Sequence, residues 1–265
     1  MHHLAEQAVS GHTEAMTEIA ESIERLETNI RSVVLGKEDA IRLVVVALLA
    51  GEHVLLEDVP GVGKTLLGKA LARSLGGQFR RIQFTPDLLP SDITGSSVYD
   101  TASQEFRFRP GPVFAHVLLA DEINRATPRT QSALLEAMNE RQVSADGQTH
   151  PLPRPFMVIA TQNPVEFEGT YPLPESQLDR FLLRTPLGYP AREAERDVLT
   201  THREGEPVDR LQAVLEPSQV AELQNAVRAV KMDDTIREYL LDLIDATRRC
   251  GELHVGASPR AALAL

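Results

Sequence analysis

The sequence predicts an α/β fold in which a five-stranded parallel sheet with flanking helices is followed by an all-helical C-terminal unit. Apolar segments of strand length alternate with helix-forming segments between residues 53 and 187, a pattern typical of parallel sheets. Two of these strands end in residues suited to anion or metal chemistry, a Gly-rich turn and an Asp-Glu pair. We therefore expect an α/β core over 1–189, with N-terminal helices and two hairpin inserts, and a helical lid over 190–265.

The elements follow in chain order from periodicity and from the residues that end helices. An amphipathic helix is predicted over 13–34, where apolar residues recur at helical spacing, and a second helix over 38–50 ends at Gly51. The other core predictions are a strand over 53–56, a helix over 64–75, a strand over 78–84, a hairpin of 93–99 with 105–109, a strand over 117–120, a helix over 129–140, a hairpin over 143–152, a strand over 156–160, a short helix over 176–180 and a strand over 181–187.

The predicted lid consists of helices over 192–203, 217–230 and 234–249. A further helix begins at Pro259 and has little length in which to bury a face before Leu265, so we expect a truncated lid.

The Gly-rich turn has the form of a phosphate-binding loop, because it joins an apolar strand to the start of a helix. Gly61 and Gly63 let backbone N–H groups approach an anion, and the helix N-terminus adds the positive end of its dipole. Lys64 can reach the β- and γ-phosphates of a nucleoside triphosphate, and the Thr65 hydroxyl can bind Mg²⁺. The candidate nucleotide-binding residues are Asp58, Val59, Pro60, Gly61, Val62, Gly63, Lys64, Thr65 and Leu66.

Asp58 departs from the strict form of this loop, which has glycine at that position. Aspartate tolerates turn and left-handed conformations better than most residues, so the turn can survive. The alternative is a Gly-rich turn followed by an ordinary lysine, and a second motif is needed to decide.

Asp121 and Glu122 supply that second motif at the end of the apolar segment 117–120. Open parallel sheets bind ligands at the carboxyl ends of their strands, where both motifs are predicted to lie. Asp121 can hold Mg²⁺, and Glu122 can orient and deprotonate an attacking water. Alone, the pair could be a solvated turn after a buried strand, but the two motifs together favour a triphosphate site.

Composition bounds the function further. The net charge of −11 argues against nucleic acid as the main partner, since phosphate contacts usually need a basic face. No apolar run is long enough to span a membrane, and the N-terminus lacks the pattern of a signal peptide. The single cysteine, Cys250, excludes an internal disulfide and favours a reducing, cytoplasmic location.

With these residues assigned, the chain resembles the MoxR family of AAA+ ATPases over roughly residues 30 to 265. The segments that carry the resemblance are the loop of residues 55–65, Leu119-Ala-Asp-Glu-Ile-Asn-Arg-Ala126, Thr161-Gln-Asn-Pro164, Gly169-Thr-Tyr-Pro-Leu-Pro-Glu175, Gln177-Leu-Asp-Arg-Phe181 and Gly256-Ala-Ser-Pro-Arg-Ala261. Aspartate at position 58 is common in that family. The implied fold is a P-loop NTPase core of the AAA+ type with a helical lid.

The resemblance also implies roles for residues that spacing alone does not explain. Asn163 is similar to the polar sensor of the γ-phosphate, with an Asn-Pro turn as the alternative. Arg180 is similar to the arginine finger that acts on the ATP of a neighbouring subunit, and Arg184 is its rival; the alternative for Arg180 is a surface ion pair. Arg260 is similar to the γ-phosphate sensor of the lid, or is simply a solvated charge.

Two further features follow from the resemblance. Val34, Leu35 and Gly36 are similar to the segment that packs on adenine, with an inter-helix turn as an equal alternative. The two predicted hairpins match inserts that face a ring pore in similar proteins. Phe106 and Phe108 alternate with arginines in the first hairpin, so their face could grip a substrate or pack on the chain's own core.

The function implied is Mg²⁺-dependent ATP hydrolysis by a hexameric ring, driving chaperone-like remodelling or maturation of client proteins, including proteins with von Willebrand factor A domains. Two alternatives stay open from the residues: a nucleic-acid-remodelling ATPase, and a binding module that is switched by nucleotide and turns it over slowly. A phosphotransferase is the least favoured class, because no acceptor-binding segment is evident.

Overall fold

The computed structural model describes residues 2–164, 169–201 and 205–264. The helices of the described chain are α1 (His2–Arg31), α2 (Glu38–Ala50), α3 (Lys64–Ser74), α4 (Pro90–Thr94), α5 (Pro128–Glu140), α6 (Glu175–Leu178), α7 (Arg192–Thr201), α8 (Pro217–Arg228), α9 (Asp234–Arg249) and α10 (Pro259–Ala264). The strands are β1 (Val54–Glu57), β2 (Phe79–Gln83), β3 (Gly95–Asp100), β4 (Glu105–Pro110), β5 (Val117–Asp121), β6 (Gln142–Ala145), β7 (Gln148–Pro151), β8 (Met157–Gln162) and β9 (Leu183–Thr185). Two predicted helix ends, 202–203 and Leu265, lie outside the described residues.

The predicted five-stranded parallel sheet is confirmed, with the strand order β2-β5-β8-β1-β9. Its central strands β1, β5 and β8 are apolar up to their polar carboxyl ends, as expected of strands that are covered by helices on both faces. Leu56, Leu119 and Ile159 point into one hydrophobic cluster with α1, α2 and α3. Leu55 and Leu118 point into the opposite cluster, which includes the apolar side of α5. The carboxyl ends of β1, β5 and β8 therefore meet at one edge of a rigid, doubly covered sheet.

Part of the predicted lid packs into the core of the α/β unit. Val208, Leu215, Val220 and Leu223 are buried in the same cluster as α1 to α3. Helix α8 lies on α2, and the Gln224 side chain donates to the carbonyl oxygen of Leu48, 2.6 Å away. The predicted boundary between residues 189 and 190 thus does not coincide with a break in packing, and the lid as a domain stays a prediction.

Both predicted hairpins form, as the antiparallel pairs β3–β4 and β6–β7. The Phe108 ring stacks on His150 of the second hairpin, with centroids 3.9 Å apart and planes 9° apart. Phe106 is 73% exposed and makes an edge contact with Tyr99. One aromatic residue of the face thus joins the two hairpins, while the other lies in solvent.

The start of the first predicted hairpin is wrong. Residues 93 and 94 begin the predicted strand over 93–99, but they lie in helix α4. Pro90 occupies the first turn, where its missing N–H costs nothing. The Asp92 carboxylate accepts from the Leu89 N–H, 2.8 Å away, at the start of the helix. These local end signals outweigh β-propensity over one short turn.

Candidate active site

The phosphate-binding loop lies between the end of β1 and the first residue of α3. Gly61 and Gly63 have φ angles of 87° and 99°, in the left-handed region that favours glycine. Lys64 is the first helical residue, and its Nζ donates to the carbonyl oxygen of Asp58, 2.9 Å away. The free N–H groups of the first helical turn and the Lys64 ammonium make this loop an anion-binding site.

The acidic pair lies one strand beyond β8, at the end of β5. The Asp121 Oδ1 atom accepts from the Thr161 hydroxyl at 2.6 Å, and Oδ2 accepts from the Arg81 guanidinium at 2.5 Å. Asp121 is 9% exposed, so both of its oxygens are held within the protein. Thr161 and Arg81 therefore fix the direction in which this carboxylate faces the loop.

Glu122 leaves the strand in a left-handed conformation, with φ of 57°. Its backbone N–H donates to the Thr161 hydroxyl at 2.9 Å, so one buried threonine holds both members of the pair. The Glu122 Oε2 atom accepts from the Gln83 amide at 2.8 Å and pairs with Arg125 at 2.9 Å. To act as a base towards water, this carboxylate would have to exchange these partners for the water.

The two motifs line a single cleft of about 680 Å³. The residues that line the cleft come from distant parts of the sequence and include most of the predicted site: Val33, Val34, Leu35, Lys37, Pro60, Gly61, Val62, Gly63, Lys64, Thr65, Leu66, Lys69, Arg81, Gln83, Asp121, Glu122, Asn163, Tyr189, Pro190, Glu195, Val198, Leu199 and Glu206. The predicted adenine-contact residues Val34 and Leu35 lie in this cleft, whereas their neighbour Gly36 does not line it. Asn163, 8% exposed, also reaches the cleft from the end of β8.

Four cationic side chains line the cleft although the chain as a whole is acidic, namely Lys37, Lys64, Lys69 and Arg81. Lys37 is 7% exposed, and burial lowers the pKa of its ammonium against the opposing attraction of Asp58. Four carboxylates line the cleft as well, so the attraction for an anion is local to the phosphate loop, where Lys64 and Lys69 lie on α3.

The donor set at the end of the cleft fits Mg²⁺. The Thr65 hydroxyl and the Asp121 carboxylate are hard oxygen ligands, and both residues line the cleft beside the phosphate loop. Among the residues that the structure describes, no group of three or more His, Cys, Asp or Glu side chains could hold a metal alone. The fit is therefore to an ion that takes its other ligands from phosphate and water.

The three predicted arginines, all in described parts of the chain, do not line the cleft. The Arg180 guanidinium donates to the Leu135 carbonyl at 2.8 Å, and Arg184 pairs with Glu57. Arg260 donates to the Asn139 side chain at 3.0 Å, which places it at the carboxyl end of α5. The structure thus does not bring Arg260 to the nucleotide cleft of its own chain, and its role as a γ-phosphate sensor stays a prediction.

Four polar residues of the site carried no role in the sequence reasoning: Lys37, Arg81, Gln83 and Thr161. Arg81 and Gln83 flank the buried Ile82 on β2, and the sequence predicts only a strand over 78–84 at this place. Thr161 follows the apolar run of β8 and lies two residues before Asn163, the predicted sensor, which is the one signal that could have singled it out.

Comparisons with known proteins agree with this geometry. The family described as "ATPase family associated with various cellular activities (AAA)" matches residues 53–183. The chain is 53% identical to YeaC of Bacillus subtilis, over 89% of this chain and 74% of that protein. It is 42% identical to Chaperone MoxR1 of Mycobacterium tuberculosis, over 98% and 71%, and 34% identical to Protein MoxR of Methylorubrum extorquens, over 92% and 78%.

A crystal structure of a protein from Cytophaga hutchinsonii superposes with a TM-score of 0.88 at 38% identity, covering 97% of this chain and 81% of that one. The fold and the cleft thus define a P-loop ATPase of the AAA+ class. Within that class, the chain belongs to the MoxR family. In the part of the chain that the structure describes, no helix has the length and apolar character to cross a bilayer.

Proposed function

We propose that this MoxR-type ATPase binds ATP with Mg²⁺ in the cleft, hydrolyses it with water, and uses the cycle to remodel client proteins. The observation that carries the proposal is the convergence of the phosphate loop and the acidic pair on one cleft, with Thr161 bonded to both acidic residues. The bound ion would neutralise charge on the β- and γ-phosphates.

Residues of the chain would bind the phosphates and the ion and would activate the water. Lys64 and the N–H groups of the first turn of α3 would hold the phosphates, and Thr65 and Asp121 would hold the ion. Glu122 would accept the proton of the attacking water as the bond from phosphorus to the ADP oxygen breaks, and Asn163 would orient that water.

Arginine from a neighbouring copy is part of the proposal, because Arg180 and Arg184 are held outside their own cleft. We propose a homo-oligomeric ring, hexameric as the family resemblance implies, in which Arg180 acts on the neighbour's nucleotide. Arg260 is likewise held outside its own cleft, by its hydrogen bond to Asn139, so a contact between Arg260 and a phosphate would also be made between copies.

The client role rests on the named relative Chaperone MoxR1 and on the family resemblance. We propose clients among cytoplasmic proteins, including ones with von Willebrand factor A domains, and residues 190–265 as the lid that transmits the nucleotide state. Nucleic acid is an unfavoured partner on the charge of −11.

Glu122→Gln tests the mechanism, with Glu105→Gln on the exposed β4 strand as a matched control. We expect the first variant to bind ATP normally while turnover falls by about 10²- to 10⁴-fold, since it lacks the base. Phosphate release and ATP titration measure the two quantities. Wild-type turnover in Glu122→Gln would contradict the role of this residue, and undetectable turnover in the unaltered protein would favour a slow binding module.

Rings mixed from two variants test whether Arg180 acts on the nucleotide of a neighbouring subunit. Arg180→Ala and Glu122→Gln subunits should each be inactive alone and recover part of the activity when mixed, because each supplies what the other lacks. If Arg184→Ala is inactive alone and recovers activity when mixed with Glu122→Gln, while Arg180→Ala does not, the arginine finger is residue 184.

A separate assay tests the nucleic-acid alternative. Stimulation of turnover by nucleic acid, with steep salt dependence, would support the remodelling of nucleic acid instead.

A further inference from the structure

Gly188 is held from both sides by charged side chains that come from distant parts of the sequence. Its N–H donates to the Asp58 carboxylate, and its carbonyl oxygen accepts from the Lys37 ammonium; both contacts are short. The other Asp58 oxygen accepts from the Val59 N–H at 2.8 Å. Lys37 and Asp58 therefore hold the two peptide units on either side of Gly188, from the segment before α2 and from the phosphate loop. We call these two residues the Gly188 clamp.

The Gly188 clamp joins three segments that line the cleft. Residues 33–35 precede Lys37, residues 60–66 follow Asp58, and residues 189–190 follow Gly188. The phosphates belong near Lys64 and the acidic pair, so the end of the cleft between residues 33–35 and 189–190 is left for the nucleoside. Val33 and Val34 are 8% and 3% exposed, and together with Pro190 they give this end apolar walls.

A second contact shows that the walls are close-packed. A Cβ atom built on Gly36 would lie 2.6 Å from the Ala194 Cβ and 3.8 Å from the Pro190 Cβ. The segment before α2 thus touches the first turn of α7 without room for a methyl group. A small displacement of Gly188 would therefore change the width of the slot between residues 33–35 and 189–190.

The clamp also explains why residue 58 is an aspartate where the strict phosphate-loop pattern has glycine. Its carboxylate accepts two backbone N–H bonds, one within the loop and one from Gly188. Glycine has no group to accept the second bond, and asparagine has only one acceptor oxygen for the two. Lys37 is nearly buried, and its charge is offset by the neighbouring Asp58 carboxylate, so the two residues stabilise each other's position.

We propose that Lys37 and Asp58 are positioning residues that fix the slot for the base and ribose of the nucleotide, and so set affinity for the nucleoside part separately from the phosphates. This inference rests on the proposed ATP site. The ligand contacts would be made by residues 33–35 and 189–190, and the clamp would act through them.

Calorimetric titration with two ligands separates binding of the nucleoside from binding of the phosphates. Mg-ATP reports on the whole cleft, whereas Mg-tripolyphosphate reports only on the phosphate end. The variants are Asp58→Asn and Lys37→Met, each of which removes one side of the clamp and keeps a side chain of similar size. Asp100→Asn is the matched control, because the Asp100 carboxylate also accepts two backbone N–H groups but lies on the β3–β4 hairpin.

We expect the ratio of ATP affinity to tripolyphosphate affinity to fall by about three- to tenfold in both clamp variants, the size of one ordinary hydrogen bond, because the clamp acts on the nucleoside only through the slot. The control should keep the wild-type ratio. An unchanged ratio, or an equal loss for both ligands, in a folded clamp variant would overturn the inference. If one variant fails to fold, the other decides, since they remove opposite ends of the clamp.

The outcome also distinguishes this inference from the proposed function. A wild-type protein that binds neither ligand would refute the ATP site itself. A wild-type protein that prefers ATP over tripolyphosphate, with variants that retain the preference, would refute the clamp alone.

Discussion

Replacing Thr161 by valine should loosen the acidic pair while leaving the shape of the core almost unchanged. The Thr161 hydroxyl is fully buried, donates to Asp121 and accepts from the Glu122 N–H. Valine has nearly the same outline but leaves the Glu122 N–H and one Asp121 oxygen without this partner. A buried polar group left unsatisfied costs about 1–3 kcal/mol, and Asp121 keeps its bonds from Arg81, so the total should be about 2–4 kcal/mol.

Thermal unfolding measures this loss directly. For a chain of this size, about 1 kcal/mol shifts the midpoint by roughly 2–4 °C, so Thr161→Val should melt roughly 5–15 °C below the wild type. The same variant should need more Mg²⁺ for nucleotide binding, because the carboxylate proposed to hold the ion is no longer oriented. Titration of Mg²⁺ at a fixed ATP concentration measures how much Mg²⁺ nucleotide binding requires.

Two control variants make the comparison specific. Thr161→Ser keeps the hydroxyl and loses one methyl group, so it should cost only about 1 kcal/mol. Thr185→Val lies on the edge strand β9 of the same sheet, and the Thr185 hydroxyl donates to the adjacent Pro186 carbonyl. A Thr161→Val protein within about 0.5 kcal/mol of the wild type, the range of neutral surface changes, would refute the reasoning.

The other predictions concern two buried polar side chains. His53 is buried and neutral, and burial lowers its pKa from 6.5 to about 4, so the unfolded chain binds more protons between those values. The free energy of unfolding should fall as the pH drops from about 6.5 to about 4, by up to about 3 kcal/mol from this group. Denaturant titrations across that range should show a shallower fall in His53→Gln, and identical slopes would contradict the assignment. The Gln131 amide, 1% exposed, donates to three backbone carbonyls around the segment after the acidic pair. Gln131→Leu should therefore lose about 2–4 kcal/mol in the same assay, and unchanged stability would show that these carbonyls find other partners.

The sheet and the two principal motifs could be predicted from sequence because their signals are local. The apolar runs that become β1, β5 and β8 are continuous, and each ends in residues that suit chemistry rather than packing. The phosphate loop combines a strand end, glycines and a helix start within about a dozen residues, so nothing distant is needed to recognise it.

The residues that support the site could not be predicted in the same way. Lys37 acts on a peptide unit 151 positions away, and Arg81 on a carboxylate 40 positions away. Each looks in sequence like an ordinary solvated charge, and only the order of the strands brings it to the cleft. The short helix α4 was missed for the opposite reason, since its end signals are local but occupy a single turn.

The ion pair between Arg81 and Asp121 has a consequence for how the cleft responds to magnesium. The guanidinium and a divalent ion seek the same carboxylate oxygens, so metal entry at this point is an exchange of one cation for another. The net gain for the proposed ion would be the difference between the two attractions, so a higher magnesium concentration would be needed than for an aspartate without an ion-pair partner. Release of Arg81 would in turn leave a mobile positive charge beside the incoming phosphates, so one event at the ion would alter the field along the whole cleft.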